Sequence, residues 1–143
     1  MSDSLRLGIN ELLRANREFY RAFAAGDFVA MDRIWADHAA SLCIHPGWAL
    51  LRGRDRVMAS WRDILRRPPQ VRARDEVAEL LGEVGVVICT ELLPGVELVA
   101  TNVFVREEGR WRLLHHQAGM VAQDDDDVLE DEERDEHEDR LLN

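Results

Sequence analysis

Two consecutive prolines, Pro68 and Pro69, split this sequence into halves of different periodicity. Proline has no backbone N–H and its ring clashes with the preceding helical turn, so no helix crosses this point. Before it, apolar residues recur at helical spacing. After it come long runs rich in Val, Leu and Thr. A chain that orders its helices first and its strands afterwards falls into the α+β class, with helices packed on one face of a sheet.

From Leu5 to Phe23, the positions Ile9, Leu12, Leu13, Phe19, Tyr20 and Phe23 form one helical stripe, and Asn16 falls on it. Gly26 suits the left-handed turn that ends such a helix, and Asp27 suits the N-cap of the next. That second helix is short, with Phe28, Met31, Ile34 and Trp35 on one face. "AASLCIH" (39–45) reads as a short buried strand, Pro46-Gly47 as a turn and "WALLRG" as a second short strand. From Asp55, Val57, Met58, Trp61, Ile64 and Leu65 predict a third helix. Beyond the prolines, "QVRARDEVAELL", "VGVVICTELL", "GVELVATNVFVR" and "RWRLLHHQAGMVA" are four strands parted by glycine-bearing turns. Connections this short require an antiparallel meander.

Charge divides the chain a second time. Residues 1–123 carry 16 Arg and 16 Asp plus Glu, whereas residues 124–143 carry 12 Asp plus Glu and only 2 Arg. The expected organisation is one domain over 1–123 and an acidic tail over 124–143, suited to a basic protein partner. A neutral body with an acidic tail argues against nucleic acid, whose phosphates need a basic surface. No apolar run approaches the roughly 18 residues of a membrane span. The amphipathic start does not read as a signal peptide, so the expected location is cytoplasmic. Cys43 and Cys89 lie in apolar strand-like runs and read as buried free thiols.

Three pieces of sequence, "FYRAFAAGDFVAMDRIWADHA", "GRDRVMASW" and "GRWRLLHHQAG", in this order, resemble the nuclear transport factor 2-like superfamily. The likeness is nearest to its SnoaL-like and ketosteroid-isomerase-like branch and covers roughly residues 5–122. The resemblance implies a cone: a curved, largely antiparallel (mixed) sheet wrapped around three N-terminal helices, with a pocket at one end. It also implies a homodimer packed through the outer faces of the sheets. The strand pattern agrees, because Val99, Val103 and Val105 on one face and Leu98, Ala100 and Phe104 on the other are both apolar. Helices on one side alone would leave one set facing water.

Side chains alternate along a strand, so parity sorts the polar residues. Leu114, His116 and Ala118 are expected on one face of the last strand, and Trp111, Leu113, His115 and Gln117 on the other. The family's pocket-facing positions match His45, Asn102 and His116, and Asn16, Phe19, Trp35, Trp48 and Trp61 complete the expected ligand wall. Ketosteroid isomerases of this fold place an acid-base carboxylate, a tyrosine and a protonated acid at positions resembling His45, Phe19 and Asn102. This chain departs at all three, and Tyr20, next to Phe19, is expected to point about 100° away from it.

Two readings of these residues stand side by side. In one, His45 is a general base that needs no tuning at neutral pH. Asn102 then donates to a developing oxyanion, and His116 is a second acid or positioning group. The protein would bind a small, largely apolar organic molecule and abstract a proton next to its carbonyl, as an isomerase, cyclase or dehydratase without a cofactor. In the other, the same groups are satisfied core polar residues of a non-catalytic dimeric binding or assembly module. No metal site is expected. His115 and His116 point to opposite faces, and Cys43 and His45 lack further ligands for a tetrahedral ion. No glycine loop for phosphates and no nucleophile elbow is present.

Overall fold

A computed structural model describes residues 1–38 and 40–122; the acidic segment expected at 124–143 lies outside the described residues. The first helix, α1 (Asp3–Ala25), starts where the Ser2 hydroxyl accepts from the Leu5 N–H at 3.1 Å. It ends at Gly26, whose φ of 66° is left-handed. A Cβ there would also meet the Leu65 carbonyl at 2.8 Å, so glycine is required on both counts. The next helix, α2 (Phe28–Ile34), is capped by Asp27, whose carboxylate accepts from the Ala30 N–H at 3.0 Å.

Two short strands follow, β1 (Leu42–Ile44) and β2 (Leu51–Arg52), and then α3 (Arg54–Ile64). Arg54 ties α3 to the end of α2. Its guanidinium donates to the carbonyls of Asp32, Trp35 and Ala36 at 2.7–3.2 Å and to the Asp32 carboxylate at 2.9 Å. Four long strands complete the domain: β3 (Arg72–Leu81), β4 (Val84–Leu93), β5 (Val96–Glu107) and β6 (Arg110–Met120).

The sheet order is β2-β1-β6-β5-β4-β3. The meander is antiparallel throughout, and β1 adds to β6 in parallel, which makes the sheet mixed. This is the expected α+β architecture. Its inner face carries Val87, Cys89, Leu98, Ala100, Phe104 and Ala118, each at most 5% exposed. Against them pack Leu12, Phe19 and Phe23 of α1 and Val57 and Trp61 of α3. Gly85 admits the helix, because a Cβ there would lie 2.6 Å from Leu12 Cδ1.

Parity holds on β5, where Leu98, Ala100, Asn102 and Phe104 are all buried. On β6 it breaks. Val103 pairs with His115 but Phe104 pairs with Leu113, so Leu114 is an extra residue in a β-bulge. Leu113 is therefore fully buried on the inner face and Leu114 is only half-buried, the reverse of strict alternation. Among the described residues, no helix is long and apolar enough to cross a membrane.

Candidate functional site

The inner face of the cone gathers polar groups from five elements. Asn16, Phe19, Tyr20 and Phe23 share one face of α1 at i, i+3, i+4 and i+7 and are all buried. Glu91 takes the inward parity of β4 shared by Val87 and Cys89. Asn102 of β5 lies opposite His116 of β6, and Cys43 of β1 lies opposite His116 on its other side.

Hydrogen bonds join the groups on α1, β4, β5 and β6 into one buried network. Asn102 Nδ2 donates to Asn16 Oδ1 at 2.8 Å and to the Tyr20 hydroxyl at 3.2 Å. Asn102 Oδ1 accepts from His116 Nδ1 at 2.5 Å. Tyr20 donates to Glu91 Oε2 at 2.7 Å and accepts from the Cys89 thiol at 3.3 Å. Asn16 Nδ2 reaches outward to Glu76 at 2.9 Å, and Glu76 is paired with Arg17 at 3.1 Å. With both hydrogens of Asn102 engaged, its amide holds neighbours in place and offers no further N–H.

Hydrogen-bond partners also assign the imidazole protons. His116 donates from Nδ1, so its Nε2 carries the lone pair, 3.9 Å from Glu91 Oε2. Ser60 Oγ gives its hydrogen to the Val57 carbonyl at 2.6 Å and therefore accepts from His45 Nε2 at 2.8 Å. The His45 lone pair is then on Nδ1, with the Cys43 sulfur 3.9 Å away.

Burial sets the charge states. It pushes the His45 pKa down to about 4. Burial, with His45 and His115 nearby, lowers that of His116 to about 3. Glu91 shifts upward because desolvation outweighs the Tyr20 hydrogen bond. At neutral pH the two imidazoles are neutral, and Cys43, pushed up to about 12 by burial, is a thiol rather than a thiolate.

Aromatic rings close over this cluster. Trp61 is fully buried, with edge contacts to Phe23 at 4.8 Å, His45 at 4.9 Å and Phe19 at 5.5 Å, and lies 5.9 Å from His116. Its indole N–H is buried with no acceptor among the described residues. Such an orphaned donor is uncommon, because it forfeits its hydrogen bonds to water.

Of the residues expected at the site, Asn16, Phe19, His45, Trp61, Asn102 and His116 lie together in the cone. Trp35 is also buried, where α2 ends against Leu113. Trp48 is 48% exposed and packs edge-on to His45 at 4.8 Å, so it stands at the rim. Tyr20 does not point away from the cluster; its hydroxyl is one of its junctions. Glu91 is not among the residues expected at the site. Helical spacing from Asn16 to Tyr20 and strand parity from Cys89 to Glu91 were the signals that carried them. Among the described residues, no group of three His, Cys, Asp or Glu is placed to hold a metal ion.

The SnoaL-like domain model matches residues 12–123 of this chain. A solved structure from Streptomyces avermitilis, provisionally named a dehydratase of the NTF2-like family, is 32% identical with a TM-score of 0.75. The match covers 82% of this chain and 99% of that one. A domain from Thiobacillus denitrificans, provisionally named a calcium/calmodulin-dependent protein kinase type II association domain, is also 32% identical. Its TM-score is 0.68, over 76% of this chain and 93% of its own. The F-box protein SKIP8 of Arabidopsis thaliana is 27% identical over 127 residues, 82% of this chain; the chain spans about half the length of that curated relative.

Proposed function

Because this chain belongs to the SnoaL-like domain family of the NTF2-like superfamily, we propose that its cone binds a small, largely apolar carbonyl compound and moves a proton next to that carbonyl. The observation that carries this reading is the orphaned Trp61 N–H beside two neutral imidazoles. An acceptor oxygen from a ligand would complete it. His45 Nδ1 is the base, and Trp61 donates to the oxygen as it gains charge. Glu91, held toward its protonated form by burial, returns a proton with His116 at its side. Asn102 and Tyr20 position that pair. The provisionally named dehydratase among the similar structures supports a lyase-type reaction.

The test is hydrogen exchange at the α-carbon of acetophenone and 2-tetralone in D2O, followed by NMR. We expect exchange that depends on the protein and falls about 100-fold or more in His45→Ala. Exchange left unchanged by that substitution, or none above the buffer rate, removes the proposal. The close ring packing around Trp61 favours the second reading, a non-catalytic association module, for which the kinase association domain is the parallel.

In both readings the partner is a second copy of the chain, joined through the outer sheet face. Val77 and Ile88 are directly paired there, Val99 lies one strand further, and the three are 43–58% exposed. Light scattering should return the dimer mass for the wild type and the monomer mass for Ile88→Asp. A monomeric wild type would rule the pairing out.

A further inference from the structure

A second candidate site lies outside the cone, in a groove of about 440 Å³ between α1, α2 and the start of β6. It shares no residue with the cluster of His45, Asn102 and His116. Val29, Ile34 and the indole of Trp111 give it an apolar side; Arg33, Arg110 and Arg112 give it a basic one. The carboxylates in its lining, Glu18 and Asp27, are both held by Arg21 at 2.7 and 3.3 Å. Arg33, Arg110 and Arg112 have no ion pair among the described residues.

Two hydrogen-bond donors in this groove are buried without an acceptor among the described residues, Arg112 Nε and Trp111 Nε1. Both side chains are fixed by other contacts. Arg112 Nη1 donates to the Arg33 carbonyl at 3.4 Å. The Arg106 guanidinium lies 4.3 Å from the Trp111 ring centroid and is paired with Glu11 at 3.4 Å. Unpaired guanidinium groups beside an apolar wall match the carboxylate and the body of a small organic acid, and side chains already held in place lower the ordering cost of binding.

We propose that this groove binds a small organic carboxylate with an apolar body. The carboxylate oxygens accept from the Arg112 guanidinium, and the apolar body lies against Val29, Ile34 and the Trp111 indole. Arg33 and Arg110 supply the remaining positive charge.

The test uses the full chain, labelled with nitrogen-15 and titrated with sodium benzoate. The Trp111 indole resonance, identified by its loss in Trp111→Phe, is expected to move saturably. Benzamide, which has the same ring without the charge, should leave it in place. Arg112→Gln, with its spectrum otherwise intact, should weaken benzoate at least about tenfold. The proposal is overturned if the Trp111 signal stays still, or if it moves equally with benzamide or with sodium chloride at matched ionic strength. Affinity unchanged in Arg112→Gln overturns it too. A shift confined to Trp61 would count against this groove and for the cone, so the two sites fail separately.

Discussion

Trp61→Ala is expected to destabilise the domain by about 3–5 kcal/mol, the range for removing a large aromatic from a core. The side chain is fully buried, and its ring touches α1 at Phe19 and Phe23 and, just past the end of β1, His45. Removing it deletes the common contact of three elements and leaves a cavity that rigid neighbours fill only in part. Urea denaturation measures the loss. A change below about 1 kcal/mol would mean that the rings reorganise freely and that the cone is not packed as described. Trp61→Phe separates packing from hydrogen bonding. It keeps most of the ring area and deletes the N–H that has no acceptor. We expect it to be far milder in stability than the alanine variant, yet to weaken any carbonyl ligand of the cone.

The second large effect is acid lability. His45 and His116 are held neutral in the folded protein, with pKa values of about 4 and about 3, against 6.5 when unfolded. The groups facing His45 are Cys43, Ser60, Trp48 and Trp61; those facing His116 are Asn102, Glu91, Phe19 and Trp61; the two rings lie 6.4 Å apart, and His115 adds to the shift of His116. Glu91, 3.9 Å from His116 Nε2, is the carboxylate facing that ring, and burial pushes it toward its protonated form. Below pH 6.5 the unfolded chain binds protons that the folded one does not, so stability rises with pH across this window. It is fully present above about 6.5 and is lost as the pH falls toward 4 and 3. Each histidine contributes about 1.4 kcal/mol per pH unit, so two lose roughly 3 kcal/mol between pH 6.5 and 5. Glu91 works the other way. Its raised pKa favours the fold at low pH and its benefit declines as pH rises from 4.5, which trims the net slope. Urea midpoints at pH 7.5 and pH 5 test this. His45→Gln should reduce the difference by about half, and equal midpoints in the wild type would contradict the buried neutral imidazoles.

Much of this molecule follows from one-dimensional rules. The stripe on α1, the stop at Pro68-Pro69 and the alternation on β5 each express a periodicity that burial imposes on a regular element. Together with the pocket positions that the resemblance to the superfamily implies, they bring His45, Asn102, His116, Phe19 and Trp61 into one cluster. What escaped the rules is irregular or combinatorial. The bulge at Leu114 shifts parity by one residue, and no residue type there announces it. Helix geometry alone points Tyr20 off the face of Phe19. A stripe of i, i+3 and i+4 positions is broad enough to bury both, and the long phenol reaches Asn102 and Glu91. Glu91 reads as a surface residue because carboxylates are rarely buried unless paired. Only the three-dimensional arrival of Tyr20 makes its position tolerable. Trp48 at the rim reflects the turn after His45, whose direction depends on packing rather than on Pro46-Gly47 alone.

The parallel pairing of β1 with β6 joins residues 42–44 to residues 115–117. Those partners are separated by most of the domain, so the contact has a high loop-closure cost and contributes little to early collapse. On a ribosome, the segment bearing His45 can pair only with the two-residue strand β2 until the final strand has emerged. The half of the cone that holds His45 is thus assembled last, although it is synthesised near the beginning.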